Sequence, residues 1–121
     1  MLINLSNHPK DKWSEKQIIT AIRKYKSVYD IQFPNISPKA SSKQVRLKTK
    51  KYLEKILKLI KNSNDKYNAV HIMGEFTFVF NLVNLLKKNN ISVVASTTER
   101  IIEEKDGKKI VTFNFVRFRE Y

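Results

Sequence analysis

Residues 68–88 read NAVHIMGEFTFVFNLVNLLKK, and this stretch decides the fold class. Residues 68–73 form a short apolar run without alternation, which is typical of a strand that is covered on both faces. Gly74 and Glu75 turn the chain, and residues 76–88 continue with apolar side chains at helical spacing. The aromatic and β-branched residues at the start of that last segment could instead extend the strand. A buried strand that leads directly into a helix is the repeating unit of a parallel α/β sheet.

Two more strand and helix units precede this one. Residues 1–5 and 28–33 are short runs of apolar and β-branched residues, and each is followed by a proline that stops a strand. Between them, Ser14 with Gln17 three positions later is a capping-box pattern, which predicts the start of a helix. Residues 43–61 carry a mostly one-sided apolar stripe among many lysines, and this pattern predicts the longest helix.

The carboxyl-terminal part predicts a strand, a loop and a hairpin. Residues 91–95 are a continuous apolar strand, and residues 96–100 (STTER) are predicted to form a polar loop after it. The turn sequence at residues 106–107 (DG) joins residues 101–102 to residues 110–118, whose side chains are predicted to alternate between two faces. The hairpin therefore follows the fourth strand as a separate element.

The whole chain, residues 1–121, is predicted to be a single domain, because one domain commonly takes ~150 residues and 41% of these residues are hydrophobic. The order of the elements predicts an α/β fold with an open, Rossmann-like, mostly parallel sheet. We expect helices on both faces of the sheet and an antiparallel hairpin at its carboxyl-terminal edge. No apolar run approaches the ~20 residues of a membrane span, and no signal peptide is recognisable, so a cytoplasmic location is expected.

The composition bounds the chemistry and the partners. The chain has no cysteine and two histidines, which excludes disulfides and thiol nucleophiles, and we expect neither a metal nor a cofactor. The formal net charge is +13, and such a field attracts polyanions and anionic small molecules. A phosphate-bearing ligand is therefore the first expectation, with a lysine-rich background composition as the alternative. The lysines of residues 43–61 are interpreted as a solvated helix face rather than a nucleic-acid groove, and no stable DNA complex is expected.

Polar residues follow three of the predicted strands, where open parallel sheets bind their ligands. Hydroxyls, an imidazole, carboxylates and a guanidinium are present, and these groups suit contacts with phosphate and ribose. The residues are Ser6, Asn7 and His8 after the first strand, Gly74, Glu75 and Thr77 after the third, and Ser96, Thr97, Thr98, Glu99 and Arg100 after the fourth. We predict that the three segments meet along one edge of the sheet and form an anion-binding pocket there.

Several of these residues have a structural alternative. Gly74 could simply permit a turn, while Glu75 favours the dipole of the helix that follows. His8 could hydrogen-bond its own loop instead of exchanging protons near neutral pH. Arg100 is the predicted anion ligand, since its planar fork matches phosphate oxygens. His71, inside the third strand, is interpreted as a buried and hydrogen-bonded core residue.

Two aromatic features also have alternative interpretations. Trp13 is interpreted as a hydrophobic staple or lid over the first helix rather than as a platform for stacking bases. The aromatic and arginine side chains of residues 113–121 could let this strand pair with its copy in a homodimer, because an edge strand left bare is a liability. Alternatively, the same rings close one face of the domain's own core.

Four segments together resemble a known family. They are residues 5–9 (LSNHP), 73–77 (MGEFT), 96–100 (STTER) and 115–121 (FVRFREY). They are similar to segments of small stand-alone CRISPR-associated proteins related to CARF modules, which are Rossmann-like, bind cyclic oligoadenylate and include ring nucleases. The resemblance implies a cytoplasmic homodimer that binds a cyclic oligoadenylate, cyclic tetra-adenylate foremost, and cleaves it to down-regulate type III CRISPR signalling. It assigns no catalytic role to any single position.

Cleavage without a metal would proceed by attack of a ribose 2′-hydroxyl on the adjacent phosphorus, which leaves a 2′,3′-cyclic phosphate. On this hypothesis the catalytic residues are His8 or Glu75 for proton transfer and Arg100 for charge. The predicted ligand-binding residues are Ser6, Asn7, Gly74, Thr77, Ser96, Thr97 and Thr98. The alternatives are a non-catalytic sensor or sponge for the same messenger and a general basic RNA-binding module.

Overall fold

The computed structural model describes residues 1–121, which form a five-stranded mixed sheet and three α-helices. The elements in chain order are β1 (Leu2–Ser6), α1 (Glu15–Tyr25), β2 (Val28–Gln32), α2 (Ser42–Asn62), β3 (Ala69–Met73), α3 (Phe76–Lys88), β4 (Ser92–Lys105) and β5 (Lys108–Glu120), with a 3-10 turn at Lys10–Lys12. The predicted α/β class, with its antiparallel hairpin, is confirmed. None of the helices combines the length and the apolar character that crossing a membrane requires.

The sheet order is β2-β1-β3-β4-β5. β1 is parallel to both β2 and β3, β3 is parallel to β4, and β5 runs antiparallel to β4. The chain moves outward from β1 to β2 and then crosses back over β1 to reach β3. This reversal makes a switch point between β1 and β3, and open sheets of this kind bind ligands in the crevice beyond the carboxyl ends of the strands at such a point.

Helices cover both faces of the sheet, as predicted. Alternation along β1 divides its side chains between two buried clusters. Leu2 packs with Ala21 and Tyr25 of α1 on one face. Ile3 packs with Ile56 of α2 on the other face, where α3 also lies. A strand with helices on both sides is largely apolar, which explains the nearly continuous apolar runs in the sequence.

Side-chain caps begin α1 and α2, and the cap of α1 lies where the sequence pattern predicts it. The Oγ atom of Ser14 accepts a hydrogen bond from the backbone N–H of Gln17 at the start of α1. Ser41 and Gln44 form a reciprocal capping box at the start of α2. These contacts satisfy backbone donors that a helix leaves unpaired in its first turn. The helix α3 starts at Phe76, so the alternative in which this segment extends β3 is wrong.

The fourth strand differs from its prediction. Residues 96–100 were predicted to form a loop, and this prediction is wrong, because β4 continues without interruption to Lys105. Pairing with β3 ends at Val94, but β5 remains the partner of β4 over the rest of its length. That partner satisfies the backbone of the polar STTER segment, so its polar side chains do not require a loop. β4 and β5 therefore project past the other strands as a two-stranded arm.

A β-bulge shifts the alternation of β5 at the base of this arm. Thr98 pairs with Phe115, whereas the preceding residue of β4 pairs with Arg117, and Val116 is the extra residue. The predicted alternation of residues 110–118 is therefore interrupted. As a consequence, Phe115 and Phe118 are both buried in the cluster on the α1 side of the sheet.

Candidate functional site

A cavity of about 700 Å³ opens at the carboxyl ends of β1 and β3, beside the point where β4 continues past β3, on the face of the sheet that α1 covers. Residues from all three predicted polar segments line it. These are Ser6, Asn7, His8, Gly74, Ser96 and Thr98. The structure therefore brings the three segments together at one edge of the sheet, next to the switch point between β1 and β3.

Beneath the cavity, a chain of hydrogen-bonded side chains connects three neighbouring strands, and His71 and Ser96 of this chain line the cavity. The Oδ1 atom of Asn4, on β1, lies 2.9 Å from Nδ1 of His71, on β3. The Nε2 atom of His71 lies 3.1 Å from the Oγ atom of Ser96, on β4. Asn4 and His71 are register partners in adjacent parallel strands, so both side chains point to the same face of the sheet. They are only 1% and 2% exposed, so their polar atoms depend on one another for hydrogen bonds.

His71 is held in its neutral form by its surroundings. Burial lowers its pKa from 6.5 to about 4, since an apolar site disfavours the imidazolium, and the neighbouring His8 adds repulsion. The interpretation of His71 as a buried, hydrogen-bonded histidine is confirmed, but the same ring also lines the cavity. No group of three or more His, Asp or Glu side chains is arranged to hold a metal ion.

Aromatic rings border the cavity on two sides. Trp13 packs edge to face on His71, with the ring centroids 5.3 Å apart. Phe113 and Phe115 of β5 line the cavity from the arm, and Phe113 is 64% exposed. An exposed ring beside a cavity is available to stack on a planar ligand. Trp13 thus borders the cavity, a placement that its interpretation as a staple over the first helix did not include.

Hydrogen bonds that converge on the carbonyl oxygen of His8 hold the loop after β1. Three donors lie within reach of that oxygen: the Nδ2 atom of Asn4 at 2.9 Å, the Oγ atom of Ser6 at 3.1 Å and the Nε1 atom of Trp13 at 2.9 Å. The main-chain carbonyl of His8, rather than its imidazole, therefore holds the loop. The imidazole of His8 is exposed and lines the cavity, which is the position that a role in proton exchange requires.

Glu75 and Thr77 interact with the start of α3 and do not line the cavity. The Glu75 carboxylate accepts hydrogen bonds from the backbone N–H groups of Thr77, at 2.8 Å, and Phe78, at 3.2 Å. It also accepts one from the hydroxyl of Thr77, and this bond is the main cause that lowers the pKa of Glu75. These contacts match the alternative in which Glu75 stabilises the start of the helix that follows it.

Alternation along β4 separates the residues of the STTER segment. Ser96 and Thr98 line the cavity, whereas the hydroxyl of Thr97 donates to a main-chain carbonyl of β5 at 3.2 Å and does not line it. Arg100 lies next along the arm, on the same face as Thr98, and is the register partner of Phe113. Its exposed guanidinium is not part of the cavity lining, so Arg100 stands beyond the cavity on the arm.

Three residues at the site, Asn4, His71 and Phe113, were not predicted from the sequence as site residues. A signal for the first two was present, since each is a polar residue within a strand that is otherwise apolar. A buried polar side chain needs a hydrogen-bond partner, and two such residues in adjacent strands are natural partners. No comparable signal marked Phe113, because its position depends on the bulge and on the length of the arm.

Comparison with known proteins identifies a family. A family model described as the Uncharacterized protein MJ1673 family matches residues 1–119. Because this match covers nearly the whole chain, the chain belongs to that family. No curated protein matches the chain, and no solved structure matches it.

Proposed function

We propose that this member of the MJ1673 family binds a cyclic oligoadenylate in the cavity and cleaves its ring. The observation that carries the proposal is the cavity itself, in which the polar segments predicted from the sequence meet beside Trp13 and the exposed ring of Phe113. The formal net charge of +13 favours a polyanionic ligand, and the rings offer surfaces for bases. The family resemblance of the same segments supports adenylate rings as the ligand class.

The size of the cavity fits one part of such a ring. The cavity volume of about 700 Å³ lies within the range of small-molecule sites. A tetranucleotide ring is larger than most ligands that occupy sites of this volume. A ring with an even number of nucleotides has two-fold symmetry, so a C2 homodimer would offer one cavity to each half. The proposed active unit is therefore a homodimer.

The proposed reaction is an attack of a ribose 2′-oxygen on the adjacent phosphorus. The bond from phosphorus to the 5′-oxygen breaks, the 2′-hydroxyl proton is removed, the leaving oxygen takes up a proton, and a 2′,3′-cyclic phosphate remains. His8 is better placed than Glu75 to move these protons, because its imidazole lines the cavity while the Glu75 carboxylate is bound at the start of α3. Lys12 lines the cavity and Arg100 lies beside it, so both can stabilise charge on phosphoryl oxygens.

Incubation of the purified protein with labelled cyclic tetra-adenylate, followed by chromatography, tests the proposal. The expected product is a linear oligoadenylate that ends in a 2′,3′-cyclic phosphate. The His8→Ala variant should form it at least about tenfold more slowly, since positioned acid–base groups commonly contribute ~100-fold or more. Saturable binding with the ring returned intact would identify a sponge instead. If the ring is neither bound nor cleaved, the proposal fails.

The alternative of a general RNA-binding module uses a different surface. Lys50, Lys51 and Lys58 are exposed on α2, which packs on the face of the sheet opposite the cavity. Changing these three lysines to glutamine should leave the helix intact, because Gln and Lys have similar helix propensities. Since the three side chains lie on the face opposite the cavity, the affinity for the ring should stay within about twofold. An RNA-binding module would instead lose affinity in this triple variant, show steep salt dependence and bind linear oligoadenylate as well as the ring.

A further inference from the structure

The side chains under the cavity form hydrogen bonds in one direction, and Asn4 sets that direction. The Nδ2 atom of Asn4 lies 2.8 Å from the Oδ1 atom of Asp30 and 2.9 Å from the carbonyl oxygen of His8. Carboxylate and carbonyl oxygens accept hydrogen bonds, so the amide nitrogen must face them and the amide oxygen must face His71. Because that oxygen can only accept, the Nδ1 atom of His71 carries the proton that the two residues share.

A proton on Nδ1 leaves the other ring nitrogen of His71 as an acceptor. A neutral imidazole has a single N–H, and the lowered pKa of His71 keeps the ring neutral at pH 7. The hydroxyl of Ser96, 3.1 Å from Nε2, must then donate to that nitrogen. The Sδ atom of Met73 also lies 3.0 Å from this hydroxyl, but a thioether is a weak acceptor. The only proton of the Ser96 hydroxyl is therefore directed at Nε2 of His71 and is not offered to a ligand in the cavity.

We propose that the Oγ atom of Ser96 is the hydrogen-bond acceptor that the cavity offers to an N–H or O–H donor of its ligand. Asn4 and His71 are positioning residues, because they keep the proton of the Ser96 hydroxyl directed at Nε2 of His71. Ser96 is partly exposed and lines the cavity, so its lone pairs are accessible there. The assignment rests on the proposed function, because a cyclic oligoadenylate carries two such donors, the ribose 2′-hydroxyl and the adenine 6-amino group.

The direction of the chain is tested without any ligand by ¹⁵N NMR of the His71 side chain near neutral pH. We expect a proton on Nδ1 and none on Nε2, with the signals assigned by their loss in the His71→Gln variant. A proton on Nε2 would overturn the proposal, because Ser96 would then accept from His71 and turn its own proton toward the cavity.

The ligand donor is tested with three rings: cyclic tetra-adenylate, its 2′-deoxy form and a form with hypoxanthine in place of adenine. The wild-type protein should bind one of the two modified rings at least about tenfold more weakly, which identifies the ribose or the base as the source of the donor. The Ser96→Ala variant should bind the parent ring as weakly as the wild type binds that modified ring. The variant should also bind the modified ring no more weakly than it binds the parent ring. Ser92→Ala, the same change at the first residue of β4 and outside the cavity lining, is the matched control.

Three outcomes of the ring comparison are decisive. Equal wild-type affinity for all three rings overturns the assignment of Ser96, even if the parent ring is cleaved. An unchanged discrimination in Ser96→Ala also overturns it, because another residue would then read the donor. If no ring binds, the proposed function fails together with the ligand assignment, while the NMR result still decides the direction of the hydrogen bonds.

Discussion

Trp13 and His71 pack edge to face at the cavity, with their ring centroids 5.3 Å apart and their planes at 79°. Trp13 lies just before α1 and His71 lies within β3, so the pair joins the helical layer to the sheet. The indole also helps to exclude water from an imidazole whose pKa is low because it is buried. Since Trp13 is the only tryptophan of the chain, its fluorescence is a specific reporter of this site.

Ligand binding should change the emission of Trp13. Trp13→Phe retains a ring but loses the hydrogen bond to the carbonyl oxygen of His8, so its affinity for cyclic tetra-adenylate should fall by roughly 0.5–1.5 kcal/mol. Trp13→Ala also removes a stacking surface and should lose about 1–3 kcal/mol. Fluorescence titration measures the wild type, and calorimetry compares the variants. Unchanged emission at a saturating ring concentration would show that the ligand binds elsewhere.

The stability of the protein should depend on pH through His71. The pKa in the folded state is about 4 and the ordinary value is 6.5, so the unfolded chain binds the extra proton between these values. The stabilisation that neutral His71 contributes to the fold is therefore complete above about pH 6.5 and is lost as the pH falls toward 4. It amounts to about 3 kcal/mol at ~1.36 kcal/mol per pKa unit.

Urea unfolding of the wild type and of His71→Gln at several pH values measures this effect. The difference between the two proteins removes the contributions of the other titrating groups. The wild type should lose more free energy of unfolding than the variant between pH 6.5 and 4. Parallel curves for the two proteins would contradict the prediction.

Replacement of Tyr25 by phenylalanine should stabilise the fold. The Tyr25 hydroxyl is buried without a hydrogen-bond partner, and burial raises its pKa to about 12. The variant keeps the ring stacked on Tyr67, at a centroid distance of 5.7 Å, and removes the unpaired polar group. We expect the free energy of unfolding to rise by about 1 kcal/mol, measured by chemical denaturation. The control is Tyr67→Phe at an exposed hydroxyl, which should change stability by no more than ~0.5 kcal/mol, and a destabilised Tyr25→Phe would refute the argument.

Gly74→Ala should destabilise the protein through Phe33. A Cβ atom at position 74 would overlap the Phe33 ring, which packs edge to face on Phe78 at 5.3 Å. The expected loss is about 1–3 kcal/mol in the free energy of unfolding, as for other overpacked sites. In the background of Phe33→Leu the same glycine change should cost less, so the two substitutions should be non-additive in a double-mutant cycle. Additive losses would mean that the glycine is needed for another reason.

The helices and strands could be predicted from the sequence, but the predicted end of β4 was wrong. Periodic apolar patterns and the Ser14 cap are local, so α1 and α2 could be predicted from neighbouring residues alone, whereas the sequence at the start of α3 is also compatible with an extension of β3. The STTER segment could not, because polar residues are equally compatible with a loop and with a paired strand. Its conformation depends on β5, which the chain reaches only after the hairpin turn.

The sequence by itself determined that this protein has an α/β sheet and that polar residues follow β1 and β3, because those properties arise from local periodicity and strand order. Only the tertiary structure decided that Asn4, His71 and Ser96 share one hydrogen-bonded chain while Glu75 and Thr97 point elsewhere. The physical reason is register: neighbouring parallel strands bring side chains from distant positions onto one face, and a shift of a single residue would move each of them to the other face.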